Sequence, residues 1–343
     1  MPVATLTLTR EQILAHRRRV QLLDGRLPVG TSSLRRAAAM GLTDSMPRAA
    51  VLSVHARVED TPADVWEDAA FIQTWGPRFS AYVVAAEDRA VFTLGRLPDD
   101  PGGLRRAITT ADRLEAFLAG RSMRFGEAGH GMGIVPNSLR YAATTGRVLI
   151  RWDGARQPTI WTIPPPDVEP REARLELARR FFHASGPGAA AGFSSWAGIK
   201  PKRAIAIVDD LAGELRTVRT PIGEGWILAS DEASFRRGPL EPPDATSVRL
   251  LPSGDAYTLH QGADRDLLVP DPARRDELWT TRVWPGAILA GREIVGTWRR
   301  SERSFRLRVW DSLSVAVREA IETEAASLPL PGTPAAVRIA WED

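Results

Sequence analysis

The sequence predicts an α+β protein of tandem winged-helix units followed by a β-rich domain. Three observations point there. Helical segments repeatedly give way to paired strand-like runs around Gly or Pro. The clearest case, residues 172–229, reads helix, short helix, turn, helix and hairpin. Beyond residue 233 the chain becomes a strand-rich meander followed by one helix. At 343 residues it is too long for one ordinary core and fits two to four domains.

Taken in order, "TREQILAHRRRVQLL" (9–23) is a helix opened by a capping box of Thr9 and Gln12. "SSLRRAAAMGL" (32–42) is a second, ending at Gly41. "PRAAVLSVHARV" (47–58) is a third, with Pro47 in its first turn. "TPADVWEDAA" (61–70) reads as a short fourth, and "FIQTWGPRFSAYVVA" (71–85) as a hairpin around Gly76-Pro77. Residues 104–120 are helical, and 137–166 read as a helix and two strands. "PPPDVEP" (164–170) is a stiff connector. In the third unit, Gly198 and Pro201 mark the turn before a helix over about 202–211, and "LRTVRT" and "GWILA" are its wing. The meander holds "VRLLPSGDAYTL", "RVWPGAILAGREIVGTWRR" and "FRLRVW", and the last helix spans 313–328. The expected domains are 1–100, 101–168, 169–232 and 233–343.

Composition narrows the function classes. No cysteine is present, which removes disulfides, thiolate metal sites and thiol nucleophiles and fits a reducing cytoplasm. No run approaches the roughly 18 apolar residues of a membrane helix, and "MPVATLTLTREQ" does not read as a secretory signal. Of the 45 basic residues, only Lys200 and Lys202 are lysine. Codon bias toward arginine accounts for most of this, and phosphate recognition by the planar guanidinium is the functional reading. A net charge of +3 means that any nucleic-acid surface must come from local clustering.

P-loop, nucleophile-elbow and HExxH signatures are missing, and the five histidines lack metal-ligand spacing. His55, within an apolar helix, reads as a core residue. "GEAGHGMG" (126–133) reads as a flexible loop. Two segments suit DNA. The hairpin carrying Trp75 and Arg78 either enters a groove or is an ordinary buried hairpin. "WRRSERSFRLR" (298–308) puts five arginines in eleven residues, so alternate ones share a strand face that fits backbone phosphates. "TDS" (43–45) supplies two hydroxyls around a carboxylate. Each of the three is a good helix N-cap, so capping and chemistry both explain it.

"GLTDSMPRAAVLSVHARVE", "TWGPRFSAYVVAAEDR", "SGPGAAAGFSSWAGI" and "AILAGREIVGTWRR" together resemble the winged-helix DNA-binding family that includes the DNA glycosylases of the AlkZ/YcaQ type. The resemblance covers most of the chain. It implies three tandem winged helices with a C-terminal β-barrel. It also implies release of bulky N-alkylated purines from duplex DNA, in some members as self-resistance of antibiotic producers. The family's Gln-x-Gln motif falls on Thr43, Asp44 and Ser45, with both glutamines replaced. Its hairpin motif falls on Trp75, Arg78 and Tyr82, with tyrosine at the usual histidine position.

The resemblance thus implies a glycosylase, and the scarcity of lysine weighs against Schiff-base lyase chemistry, so the activity would be monofunctional. Asp44 would be general base or electrostatic stabiliser, with Thr43 and Ser45 binding the water. Arg48, Arg57, Trp75, Arg78, Tyr82, Lys200, Lys202, Arg203, Arg299 and Arg300 are the candidate DNA contacts. No metal or organic cofactor and no obligate protein partner is expected, only double-stranded DNA with bulky alkyl lesions. The expected location is the cytoplasm, at the nucleoid. The alternative is a non-catalytic winged-helix protein that regulates or shields DNA.

Overall fold

Thr9 caps the helix Arg10–Val20 by accepting from the Gln12 amide, and the Gln12 side chain accepts from the Thr9 amide in return. The structure is a computed structural model describing residues 6–46, 48–153, 157–237, 244–302, 304–330 and 337–342. Helices Thr31–Ala37 and Ala49–His55 follow. Pro47, expected in the first turn of the latter, lies outside the described residues. Strands Leu42–Thr43, Ala81–Ala85 and Phe71–Trp75 form an antiparallel three-stranded sheet in that spatial order. The stretch 61–70 holds only one 3-10 turn, Val65–Glu67, instead of the expected helix. The Asp68 carboxylate accepts from the Ala70 amide and turns the chain into the strand that starts at Phe71.

A second unit contains the helix Pro101–Leu118, capped by Asp100, the helix Phe125–Gly131 and a 3-10 run Pro136–Thr145. Strands Met123–Arg124, Thr159–Thr162 and Val148–Arg151 complete it. The glycine-rich 126–133 segment is thus largely helical, not a loop. Gly126, Gly129 and Gly131 serve close packing: a Cβ on Gly129 would lie 2.6 Å from the Pro136 Cα.

A third unit has helices Pro170–Ser185, Ala190–Ala197 and Pro201–Asp210 and the hairpin Leu215–Thr220/Gly223–Leu228. The N-terminal strand Leu6–Thr7 adds to this hairpin in parallel. Leu8 and Ile13 are buried with Val218, Ile227 and Phe235, so the N-terminal segment packs on the third unit.

The units share cores. Tyr82 and Phe92 of the first pack with Phe182, Phe193 and Trp196 of the third. Trp75 packs with Phe125 and Leu139 of the second. Each such side chain contributes about 1.5–3 kcal/mol by burial, so separating the units would expose much of the interior.

The C-terminal part is a five-stranded sheet: Val248–Leu251, Gly286–Ala290, Glu293–Ser301, Ser304–Val309 and Arg338–Glu342, the last pair parallel. The expected closed barrel is absent, because the two edge strands do not pair with each other among the described residues. The helix Val315–Ser327 instead packs Val317, Ile321 and Ala325 against Leu250, Phe305 and Leu307. No helix among the described residues is long and apolar enough to cross a membrane.

Candidate active site

The strand Leu42–Thr43 runs out along the hairpin, and the Asp44 amide donates to the Ala81 carbonyl at 2.9 Å. Alternation along extended backbone turns Asp44 inward and Ser45 outward. Asp44 is 2% exposed, while Ser45 is exposed. The Asp44 Oδ1 accepts from the Ala50 amide at 3.1 Å, in the first turn of Ala49–His55. Oδ2 accepts from Gln73 Nε2 at 2.8 Å and lies 3.6 Å from Arg48 Nη1. Burial pushes the Asp44 carboxyl up to about 6, although Ala50, Arg48 and Gln73 all favour its charged form. Asp44 is thus a buried helix cap and faces no open surface.

Gln73 went unnoticed in the sequence. Its Oε1 accepts from the Trp152 amide at 2.7 Å, so one buried amide ties the motif to the second unit. The available signal was a lone polar residue in the apolar strand "FIQTW". Arg48 is equally occupied: its guanidinium lies 3.7 Å over the Trp66 ring and donates to the Trp152 carbonyl at 3.2 Å. Thr43 is 8% exposed, with an Oγ1 that is buried and lacks a hydrogen-bond partner, and its methyl meets the turn at Gly254.

Beside Met46 a cavity of about 340 Å³ opens between the first unit and the C-terminal sheet. Its walls include Ala49, Leu52, Trp284 and Trp298, with Arg299 and Arg300 among its lining residues. Arg299 and Arg300 make no ion pair among the described residues; Arg299 donates to the Val283 carbonyl at 3.0 Å. Of the other arginines of 298–308, Arg303 lies outside the described residues, and Arg306 and Arg308 pair with Glu342 and Glu277.

The remaining candidates are placed differently. Arg57 is 2% exposed and clamps Asp255 with two 2.8 Å bonds, so it is structural and reaches no DNA. Trp75 and Tyr82 are 2% and 0% exposed, which excludes a groove-entering wedge. The hairpin tip is folded down: Arg78 has φ +54°, and Gly198 presses on it so closely that a Cβ there would sit 2.7 Å from the Arg78 nitrogen. Lys200 and Arg203 gather near this tip, and Lys202 is exposed on the first turn of Pro201–Asp210. His55 is a core residue bonded to Ser327 Oγ at 3.1 Å.

Comparisons with known proteins agree with this architecture. The chain aligns with the Streptomyces sahachiroi DNA glycosylase AlkZ at a TM-score of 0.76, with 15% sequence identity, over 98% of this chain and 100% of that one. At that identity the likeness shows the fold. No curated protein matches the sequence significantly. The family profile described as DNA glycosylase AlkZ-like matches residues 34–329, which include the Thr43–Ser45 motif, the hairpin and most of the C-terminal sheet. The chain therefore belongs to the AlkZ-like DNA glycosylase family and is a DNA-repair hydrolase acting on DNA.

Proposed function

We propose that the protein hydrolyses the N-glycosidic bond of bulky N-alkylated purines in duplex DNA, without lyase activity. The observation that supports this reading is that Met46, the residue after the family's motif position at Thr43–Ser45, lines the 340 Å³ cavity. An alkylated purine is already cationic, so its glycosidic bond needs little more than a placed water and stabilisation of the sugar cation. The cavity's tryptophans and aliphatic walls suit an apolar substituent, and Arg299 and Arg300 suit the flanking phosphates. Lys202 is a further backbone contact.

In this reading Ser45, which is exposed, holds the water, and Thr43 is buried behind it. Asp44 is a positioning residue that fixes the strand end through Ala50 and Gln73. Schiff-base chemistry needs an amine at the sugar, and neither Lys200 nor Lys202 lies on the cavity at the motif. The three helix–hairpin units act as winged helices arrayed along the duplex. The protein works in the cytoplasm, at the nucleoid, and serves self-resistance where a DNA-alkylating product is made.

Duplexes carrying N7-alkylguanines of increasing bulk test this. Free base and abasic sites should be released from the bulky adducts, with no strand cleavage. No release from any adduct, with DNA binding intact, would establish the second reading, a non-catalytic DNA-binding protein. The loss of both glutamines favours that second reading. It predicts only salt-dependent binding.

A further inference from the structure

A second cavity, of about 300 Å³, lies where the hairpin tip, the start of Pro101–Leu118 and the start of Pro201–Asp210 converge. Arg96, Arg106, Lys200 and Arg203 line it, with Phe79 and Tyr141 as an aromatic wall. Two of these cations are buried: Arg96 is 3% exposed and Arg203 7%. Arg96 donates only to the Ala197 and Trp75 carbonyls and forms no ion pair among the described residues. Arg203 donates from Nη1 to the Arg96 carbonyl, while its Nη2 has no partner and its Nε lies 3.6 Å from Asp99.

The cavity's two carboxylates do not balance this charge. Asp100 is committed to capping Gly103 and to Lys200 Nζ at 3.0 Å. Asp99 is more than half exposed at the rim. Four cations therefore face two carboxylates, and both helix starts add positive ends of their dipoles. Burial holds the Arg96 guanidinium down to about 9 and the Arg203 guanidinium to about 10, as expected for buried cations short of counter-charge. Desolvated cations of this kind are costly unless an anion pairs with them.

We propose that this cavity is an oxyanion site that holds the phosphate group of a nucleotide, with Arg203, Arg96 and the start of Pro201–Asp210 as its donors. Its place favours a strand phosphate near the lesion, a source that rests on the DNA reading above. The wall residue Phe79 sits on the hairpin tip, and the same hairpin holds the Asp44 strand end at Ala81. A free nucleotide offers the same chemistry.

The test uses the exposed pair Arg106→Gln and Lys200→Gln, combined, and Arg203→Lys, which keeps the charge but removes the fork. Binding of an undamaged labelled duplex is followed by anisotropy over a salt series. Titration with dAMP and with inorganic phosphate at fixed ionic strength runs in parallel. For a strand phosphate, the combined variant should bind the duplex more weakly with a salt slope shallower by about 1. Arg203→Lys should weaken binding with the slope retained. Saturable dAMP or phosphate binding that both variants lose, with duplex binding unchanged, would keep the site and overturn the strand as its source. Unchanged duplex and dAMP binding in both variants would overturn the site. Base release from alkylated duplex separates this from the activity: release with unchanged binding overturns only the oxyanion site. No release, with the altered salt slope intact, overturns only the lesion chemistry.

Discussion

Replacing Asp44 with Asn removes a charge that the fold holds at a cost. The ordinary aspartate value of 3.8 is pushed up to about 6 by burial. A raised carboxyl pKa means that the native state binds the proton more tightly than the unfolded chain. The associated stability is fully present below about pH 4 and is lost as pH rises through about 6. At about 1.4 kcal/mol per pH unit the whole effect is roughly 3 kcal/mol, of which a little over 2 falls between about pH 4 and about pH 7.5. Asn cannot titrate, and it sets the Ala50 amide or Gln73 Nε2 against an amide donor. That adds an offset of about 1–3 kcal/mol that does not vary with pH. The slope is therefore the diagnostic quantity. Urea unfolding of both proteins, followed by tryptophan fluorescence across that range, gives it directly, since all other titrating groups are shared. Wild-type stability minus that of Asp44→Asn should fall by about 2 kcal/mol as pH rises. A difference that stays flat within about 0.5 kcal/mol would refute the buried, ionisable Asp44 described here.

Gln73→Leu should cost about 2–5 kcal/mol in urea unfolding, because it leaves Asp44 Oδ2 and the Trp152 amide without their partner. Arg57→Ala should cost about 3–5 kcal/mol by stranding Asp255, and duplex affinity measured on the folded fraction should not change. Asp255 itself is fully buried, yet Arg57, Ser53 and the Tyr257 amide together outweigh that burial and hold it below the ordinary value. Its contribution is present at neutral pH and is lost as pH falls through the lowered value, a dependence that Arg57→Ala should abolish. Ser45→Ala should slow single-turnover base release by about tenfold, the equivalent of one lost hydrogen bond of about 1.4 kcal/mol, with unfolding unaltered.

Periodicity and turn residues were enough to place most elements. The Thr9–Gln12 box, the Gly198 turn and the hairpin at 71–85 are all set by local chemistry, and local chemistry is what a sequence displays. What stayed hidden depends on distant partners. Nothing near Arg57 announces Asp255, 198 residues away, and without it an arginine after an apolar helix reads as a surface contact. Trp75 and Arg78 read as a protruding tip because the residues that cover them, Phe125 and Leu139 over Trp75 and Gly198 over Arg78, belong to other units. The closed barrel failed for a related reason: closure depends on whether the edge strands meet, and alternation within each strand does not encode that.

The motif shows the same limit at atomic scale. Of the three motif positions only Ser45 reaches the surface, while Thr43 and Asp44 are both buried, so strict strand alternation does not hold across the motif. A carboxylate at an inward site is unfavourable unless neighbours supply donors, and here Gln73, Arg48 and the Ala50 amide all converge on it. An amide has therefore not vanished from this region. It stands on the far strand of the same three-stranded sheet, as Gln73, and is directed at Asp44 and Trp152 instead of at solvent. Under the proposed function the chemistry left to the outer face rests on the Ser45 hydroxyl. Such a site can hold a water but has no strong base to take its proton, which confines it to substrates whose leaving group is already activated. Cationic N-alkylated purines meet that condition and ordinary purines do not, so under the proposed function the altered motif would itself supply selectivity for damage.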